Sequence, residues 1–187
     1  MRFRRVARIT GQAPDARPPV NATLALDADF PSLLATHRGI VQKIAASYTQ
    51  TREDRADLAQ DIAMQAWQAR ASIDPARTFS TWLYRVALNV AISRQRREHH
   101  RAHLPLDDAQ HDLIGDSDVD AEAREQLEAL QRAMQSLNAV DRALLVLHLD
   151  GCSHRESAEV LGTTEGNVAT RLNRIRTQLK RQVGADA

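Results

Sequence analysis

The amino-acid sequence predicts an all-α protein of two small helical domains joined by a flexible acidic linker, the C-terminal domain carrying a helix-turn-helix. Three observations lead there. Ala, Leu and Arg dominate and Gln is common, glycine and proline number only 7 and 6 of 187 residues, and no alternating β-branched or aromatic run interrupts them. The formal net charge is only +1, yet acidic and basic residues are sorted into separate blocks along the chain. Finally, residues 153–181 combine helix caps, a turn glycine and a basic face in one stretch.

Residues 1–25 hold Arg2, Arg4, Arg5, Arg8 and Arg17 among Pro14, Pro18 and Pro19 without a sustained apolar period, so a flexible basic tail is expected. From Phe30 to Tyr48 a helix is expected, with Pro31 in its first turn and Leu33, Leu34, His37, Val41, Ile44 and Tyr48 along one stripe. A lone histidine beside such a stripe reads as packed rather than as a ligand. The next helix is capped by Thr51 or Asp54 and buries Leu58, Ile62, Ala66 and Trp67, leaving Asp57, Gln60, Asp61 and Gln65 outward. Two carboxylates one turn apart, with no histidine or third acid to complete a metal or catalytic site, suit a partner's basic helix better than chemistry.

After the turn at Asp74-Pro75, a third helix is expected to bury Phe79, Leu83, Val86 and Val90, with Trp82, Tyr84 and Arg85 pointing elsewhere. Three of the seven aromatics fall between Phe79 and Tyr84, just ahead of Arg94, Arg96, Arg97 and Arg101. Two readings stand at this point. Exposed rings and arginines suit single-stranded nucleic acid, where rings stack on bases and cations follow the backbone; equally, the rings close a small core and the arginines face solvent. His99, His100 and His103 lack thiolate or carboxylate partners at metal-binding spacing and read as a polar helix end.

Residues 1–25 (tail) and 26–102 (N-terminal domain) are thus followed by a linker at 103–120, where Pro105 and Gly115 stand among Asp107, Asp108, Asp112, Asp116, Asp118 and Asp120. The C-terminal domain, 121–187, opens with Leu127, Leu130, Met134 and Leu137 on one helix face. Asn138 or Asp141 caps the next helix, rich in Leu144, Leu145, Val146, Leu147 and Leu149, which stops at Asp150-Gly151. Ser153 with Glu156 forms a capping box and Gly162 ends that helix. Thr163 or Thr164 then caps a last helix with Val168, Leu172, Ile175 and Leu179 on one face and Thr170, Arg171, Asn173, Arg174 and Arg181 on the other. Ala158, Gly162 and Val168 have the sizes a tight two-helix corner requires, and such a second helix can enter the major groove.

The single cysteine, Cys152, excludes an intramolecular disulfide, and no apolar run is long enough for a signal peptide or membrane span, so a soluble cytoplasmic protein without membrane insertion is expected. No Gly-rich phosphate loop, nucleophile elbow or zinc-ligand set is present, so neither enzymatic activity nor a cofactor or metal is expected.

The order of DLAQDIAMQAW, FSTWLYRVALNVAISRQRR, an acidic linker and LDGCSHRESAEVLGTTEGNVATRLNRIRTQLKR resembles the extracytoplasmic-function (ECF) subfamily of bacterial RNA polymerase sigma factors, from about Phe30 to Val183. The resemblance implies a non-enzymatic, dissociable initiation subunit of core RNA polymerase. By position, Asp57, Leu58, Gln60 and Asp61 fall in the motif that docks on the clamp helices of the largest subunit. Phe79, Trp82, Tyr84, Arg85 and Asn89, with Arg94, Arg96 and Arg97, match the part that opens and reads the minus-10 element as single strand. Thr164, Asn167, Thr170, Arg171, Asn173 and Arg174 match the part that reads the minus-35 element as duplex promoter DNA. Family habit implies an anti-sigma partner. Three positions depart from the pattern: Ser157 replaces a branched apolar residue, Ala169 a basic one, and Asn167 a threonine. A polymerase-independent helix-turn-helix regulator is the alternative; it gives Trp82, Tyr84 and the DLAQD face no task.

Overall fold

The computed structural model describes residues 29–101 and 132–183. The arginine-rich tail, the acidic linker, His103, Leu127 and Leu130 lie outside the described residues. Every regular element among those described is a helix.

Helix α1 covers residues 29–36 and α2 runs Arg38–Tyr48, so the single helix expected from Phe30 to Tyr48 is two. His37 breaks it: its backbone leaves helical geometry at φ −99°, ψ 14°, and its ring Nδ1 lies 2.9 Å from the carbonyl of Leu33. Gly39, a poor helix former, follows immediately. The break lets Phe30 turn into the domain, where it is fully buried with the rings of Trp67, Phe79 and Trp82 at 5.7, 5.9 and 6.0 Å.

Helix α3, Arg52–Ala69, starts at Thr51, whose hydroxyl accepts the Asp54 amide at 3.1 Å. It buries a narrow stripe, Leu58, Ile62 and Ala66, and continues as a short 3-10 turn, Arg70–Ser72. Helix α4, Phe79–Arg101, packs with α2 and α3 as a three-helix bundle through Leu83, Ala87, Leu88 and Ala91.

In the C-terminal domain α5 is described at residues 132–135, with Met134 and Leu137 buried. Helix α6, Ala139–Leu149, is capped by the Asn138 side chain, which accepts the amides of Val140 and Asp141. All its positions from Asp141 to Leu147 are buried, Ala143 to Leu147 as an all-round apolar run must be, and Asp141 and Arg142 with polar partners. It is surrounded: α7, His154–Leu161, and α8, Glu165–Val183, cover it on one side, while α2 and α4 meet it on the other.

The helix-turn-helix forms as its local signals dictate. Ser153 and Glu156 make both bonds of the capping box, and Gly162 closes α7 at φ 64°, a left-handed conformation that costs a residue with a Cβ roughly 1–2 kcal/mol. Thr164 Oγ1 accepts the Asn167 amide at 3.3 Å, so of the two threonines Thr164 caps α8. Val168, Leu172 and Ile175 are buried against the domain, with Leu179 partly so. No described helix is long and apolar enough to cross a membrane.

Candidate polymerase and nucleic-acid interfaces

The outward face of α3 is mixed in chemistry. Asp57 and Gln60 are exposed and Asp61 half-buried, whereas Leu58 is only 1% exposed. Leu58 therefore belongs to the core and can serve a docking face only by fixing its neighbours. One and two turns on from Gln60 the same face carries Met64 and Trp67, 51% and 43% exposed. Trp67 was expected in the core; its indole instead lies under the Arg70 guanidinium, 4.3 Å from the ring centroid, with one edge against Phe30. Sequence reading missed Met64 and Trp67 as surface groups, although the spacing 57, 60, 64, 67 already traces one line along a helix.

Helix α4 departs most from expectation. Trp82 and Tyr84 do not point away from the core: each is only 8% exposed. Trp82 stacks among Phe30 and Phe79, and its indole N–H donates to Ser72 Oγ at 3.2 Å. Tyr84 faces the other domain, donating its hydroxyl to Asp150 Oδ2 at 2.5 Å. Burial, reinforced by the Asp150 carboxylate, pushes the Tyr84 phenol well above its ordinary pKa, so the hydroxyl keeps its proton. The physical reason for the misread orientation is that α4 is covered on two sides. The α2–α3 pair takes Leu83, Ala87, Leu88 and Ala91, and α7 takes the face with Tyr84 and Arg85, so no single stripe describes its burial.

Arg85 is half-buried and donates to the carbonyl of Glu159 at 2.7 Å. Arg94 is 19% exposed and engaged by its own domain, with Asp54 and Glu98 both at 2.8 Å and Asp61 at 3.9 Å. Asn89, Arg96 and Arg97 remain exposed. With Arg85 they line one wall of an open groove of about 950 Å³ between α3 and α4, whose facing wall presents the amides of Gln65 and Gln68. Phe79 is partly buried at the head of α4, against the His37 ring at 4.9 Å, so His37 is a packed residue.

On α8, Thr164, Asn167, Thr170 and Asn173 are exposed, and Ala169 leaves no cation among them. Arg171 and Arg174, expected beside them as readers, both pair with the buried carboxylate of Asp141, at 2.9 and 3.0 Å. Their exposures differ sharply, 28% against 64%. Arg171 is a brace between α8 and α6, while Arg174 has most of its length in solvent. Asp141, which the sequence offered only as an alternative cap, turns out to be the buried counter-charge of α8. Next to it, the Arg142 guanidinium donates to the carbonyls of Met134, Gln135 and Leu137 and, across the domain boundary, of Ser47. Ser157 is buried at 1% exposure within α7.

The same chain is recognisable in other proteins. Residues 33–101 match the family model described as Sigma-70 region 2, and residues 127–179 match that described as Sigma-70, region 4. The ECF RNA polymerase sigma factor SigM of Mycobacterium tuberculosis is 30% identical over 156 residues, covering 83% of this chain and 77% of that protein. RNA polymerase sigma factor CnrH of Cupriavidus metallidurans is 32% identical over 170 residues, 84% of this chain and 88% of that one. The solved structure of CnrH in complex with the cytosolic domain of CnrY superimposes with a TM-score of 0.64 over 89% of this chain and 95% of that one, at 27% identity. The sigma factor RpoE from Bartonella quintana, solved with the anti-sigma factor NepR, shares the fold at a TM-score of 0.68 over 85% of this chain and 99% of that one, at 21% identity. Two helical domains in this order, matched over most of the chain, establish that the protein belongs to the ECF subfamily of RNA polymerase sigma factors.

Proposed function

We propose that the N-terminal domain, about residues 26–102, docks on the clamp helices of the largest polymerase subunit through α3 and captures separated strands of the minus-10 element along α4. The C-terminal domain, about 121–187, reads the minus-35 element as duplex through α8. The acidic linker at 103–120 lets polymerase set the distance between them.

The groove between α3 and α4 carries this reading. Arg85, Arg96 and Arg97 supply cations that follow a phosphate backbone, and Asn89, Gln65 and Gln68 supply amides that both donate to and accept from unpaired base edges. A duplex keeps its Watson–Crick edges paired, whereas a single strand presents them to such amides. On α8, Thr170, Asn173 and Arg174 stand on the solvent side of a helix whose opposite face is buried, the placement a major-groove reader needs. On α3, the acidic and amide line of Asp57, Gln60 and Asp61, continued by Met64 and Trp67, offers charge at one end and apolar area at the other. That suits a basic amphipathic helix pair.

Neither DNA contact has to be strong alone. Tethering makes the second binding event intramolecular, so the pair outperforms either site once polymerase holds both. Bond formation is left to polymerase; this chain needs no catalytic group or cofactor. An anti-sigma partner belongs to the same reading, since the Bartonella quintana neighbour was solved with one.

The test is transcription with purified core polymerase. With this chain added, start sites found by sequencing polymerase-bound promoters should share a two-part element, and Asp57→Ala with Gln60→Ala should abolish both copurification and transcripts. Tight sequence-specific binding by the free chain, with no polymerase dependence, would overturn the reading.

A further inference from the structure

The six residues that match the minus-35 reader by position differ in what their polar groups already hold. Thr164 Oγ1 accepts the Asn167 amide, and the Asn167 side chain donates to Thr163 Oγ1 at 2.6 Å, so both are engaged at the start of α8. Arg171 and Arg174 are tied to Asp141, whose side chain is 5% exposed. Swinging the Arg174 fork wholly onto a guanine would strip a partner from that carboxylate. Thr170 gives its hydroxyl proton to the carbonyl of Gly166 at 2.9 Å, so it keeps no donor and offers DNA its methyl group. Asn173 is exposed, and its carboxamide meets no partner among the described residues.

At about 100° and 1.5 Å per residue, Thr170 and Asn173 lie within about 60° of each other and about 4.5 Å apart along the axis. Both stand opposite the buried Val168, Leu172 and Ile175. Their separation is close to one base-pair step, about 3.4 Å.

We propose that Asn173 is the residue through which this chain distinguishes bases in the minus-35 element: its carboxamide pairs with the N6 and N7 edge of an adenine, while the Thr170 methyl packs on the C5-methyl of a thymine in a neighbouring pair. The inference rests on the reading of α8 as the duplex-binding helix. A carboxamide holds one donor and one acceptor side by side, and adenine presents the matching acceptor and donor in the major groove. Guanine presents two acceptors there, which suit a cationic fork instead. Arg174, at the edge of the same face, supplies charge that holds the element in place.

The experiment is selection by the assembled enzyme. Core polymerase with the full-length chain captures DNA from a library in which about six base pairs of the upstream element are randomised and the minus-10 element is fixed, and the retained DNA is sequenced. The wild type should favour adenine over guanine at one position by at least about tenfold. Asn173→Ala should flatten that position to within about twofold and leave the others, and Asn173→Arg should turn it to guanine. At the neighbouring thymine, deoxyuridine, which lacks the methyl, should lower capture by the wild type about threefold. That loss should vanish in Thr170→Ser, which keeps the hydroxyl, and persist in Thr170→Val, which keeps a methyl.

An adenine preference that survives Asn173→Ala, or a deoxyuridine loss that survives Thr170→Ser, would overturn the assignment. A variant that unfolds α8 loses preference at every upstream position. The turn to guanine cannot arise that way, so Asn173→Arg carries the test should Asn173→Ala unfold. If the wild type shows no upstream preference, the reading of α8 beneath the inference is wrong. If it shows one that no Asn173 variant moves, the assignment alone is wrong.

Discussion

Arg171 and Arg174 lie one turn apart on α8 and share one carboxylate, yet replacing each with alanine should produce opposite phenotypes. Asp141 is 5% exposed and cannot be solvated if left short of partners. Removing Arg171, itself only 28% exposed, leaves that carboxylate with Asn138 and a largely solvated Arg174. Breaking a fully buried pair costs about 3–5 kcal/mol, and partial exposure of Arg171 together with the surviving partners brings the expected loss to about 2 kcal/mol. Removing Arg174, 64% exposed, should cost about 0.5 kcal/mol, as surface pairs do. Both tryptophans, Trp67 and Trp82, lie in the N-terminal domain, so fluorescence cannot follow this change and hydrogen exchange of the α6–α8 amides is the assay. Arg171→Ala should accelerate exchange there roughly thirtyfold and Arg174→Ala no more than about threefold. Transcription should invert the order at fixed folded protein: Arg174→Ala loses dependence on the minus-35 element, while Arg171→Ala retains it. Equal loss of protection by the two variants would refute the argument from burial.

Three further outcomes follow from local geometry. Arg142→Met removes a guanidinium that satisfies four carbonyls and lies 5.2 Å from the Tyr48 ring centroid, and should destabilise the C-terminal domain by about 3 kcal/mol in urea unfolding; a loss below about 0.5 kcal/mol would contradict the assigned contacts. Gly162→Ala meets no atom within 4 Å, so its expected cost of about 1 kcal/mol is conformational only, and Gly162→Asn, which tolerates the left-handed region, should recover part of it. Ser153→Ala should cost about 1 kcal/mol by removing the cap of α7. The hydrogen bonds from the Ser153 hydroxyl and amide hold the Glu156 carboxyl below its usual pKa. A depressed carboxylate stabilises the fold above its unfolded pKa of about 4.3 and loses that contribution as pH falls through the folded value. Protection of the first α7 amides should therefore decline on acidification below about pH 4 in the wild type and be insensitive there in Glu156→Gln.

The helix-turn-helix was legible in the sequence because its signals are local: Ser153, Glu156 and Gly162 act within one turn of where they stand, and Val168, Leu172 and Ile175 bury one face against α6 and α7, which precede it directly in the chain. The acidic face of α3 was legible for the same reason. Trp82 and Tyr84 were left between two readings, exposed rings and rings that close the core, and the second is the one the structure bears out. A single apolar stripe presumes burial on a single side, and α4 is covered on two sides, one of them by α7, which begins more than 50 residues after α4 ends. Asp141 and Arg142 were hidden likewise, since their adjacency in sequence says nothing of the paired arginines on α8 or the four carbonyls they meet. Leu58 shows the limit of carrying a motif over by position. Its place in DLAQD suggested a contact, and its side chain is in the core.

The proposal that separated strands are gripped by the α3–α4 groove, apart from the duplex grip of α8, is tested most directly by permanganate reactivity of promoter thymines in complexes with core polymerase. A chain carrying Asn89→Ala, Arg96→Ala and Arg97→Ala should keep its upstream footprint over the minus-35 element while thymine reactivity in the minus-10 element falls at least about tenfold. Unchanged thymine reactivity with that groove stripped would contradict it.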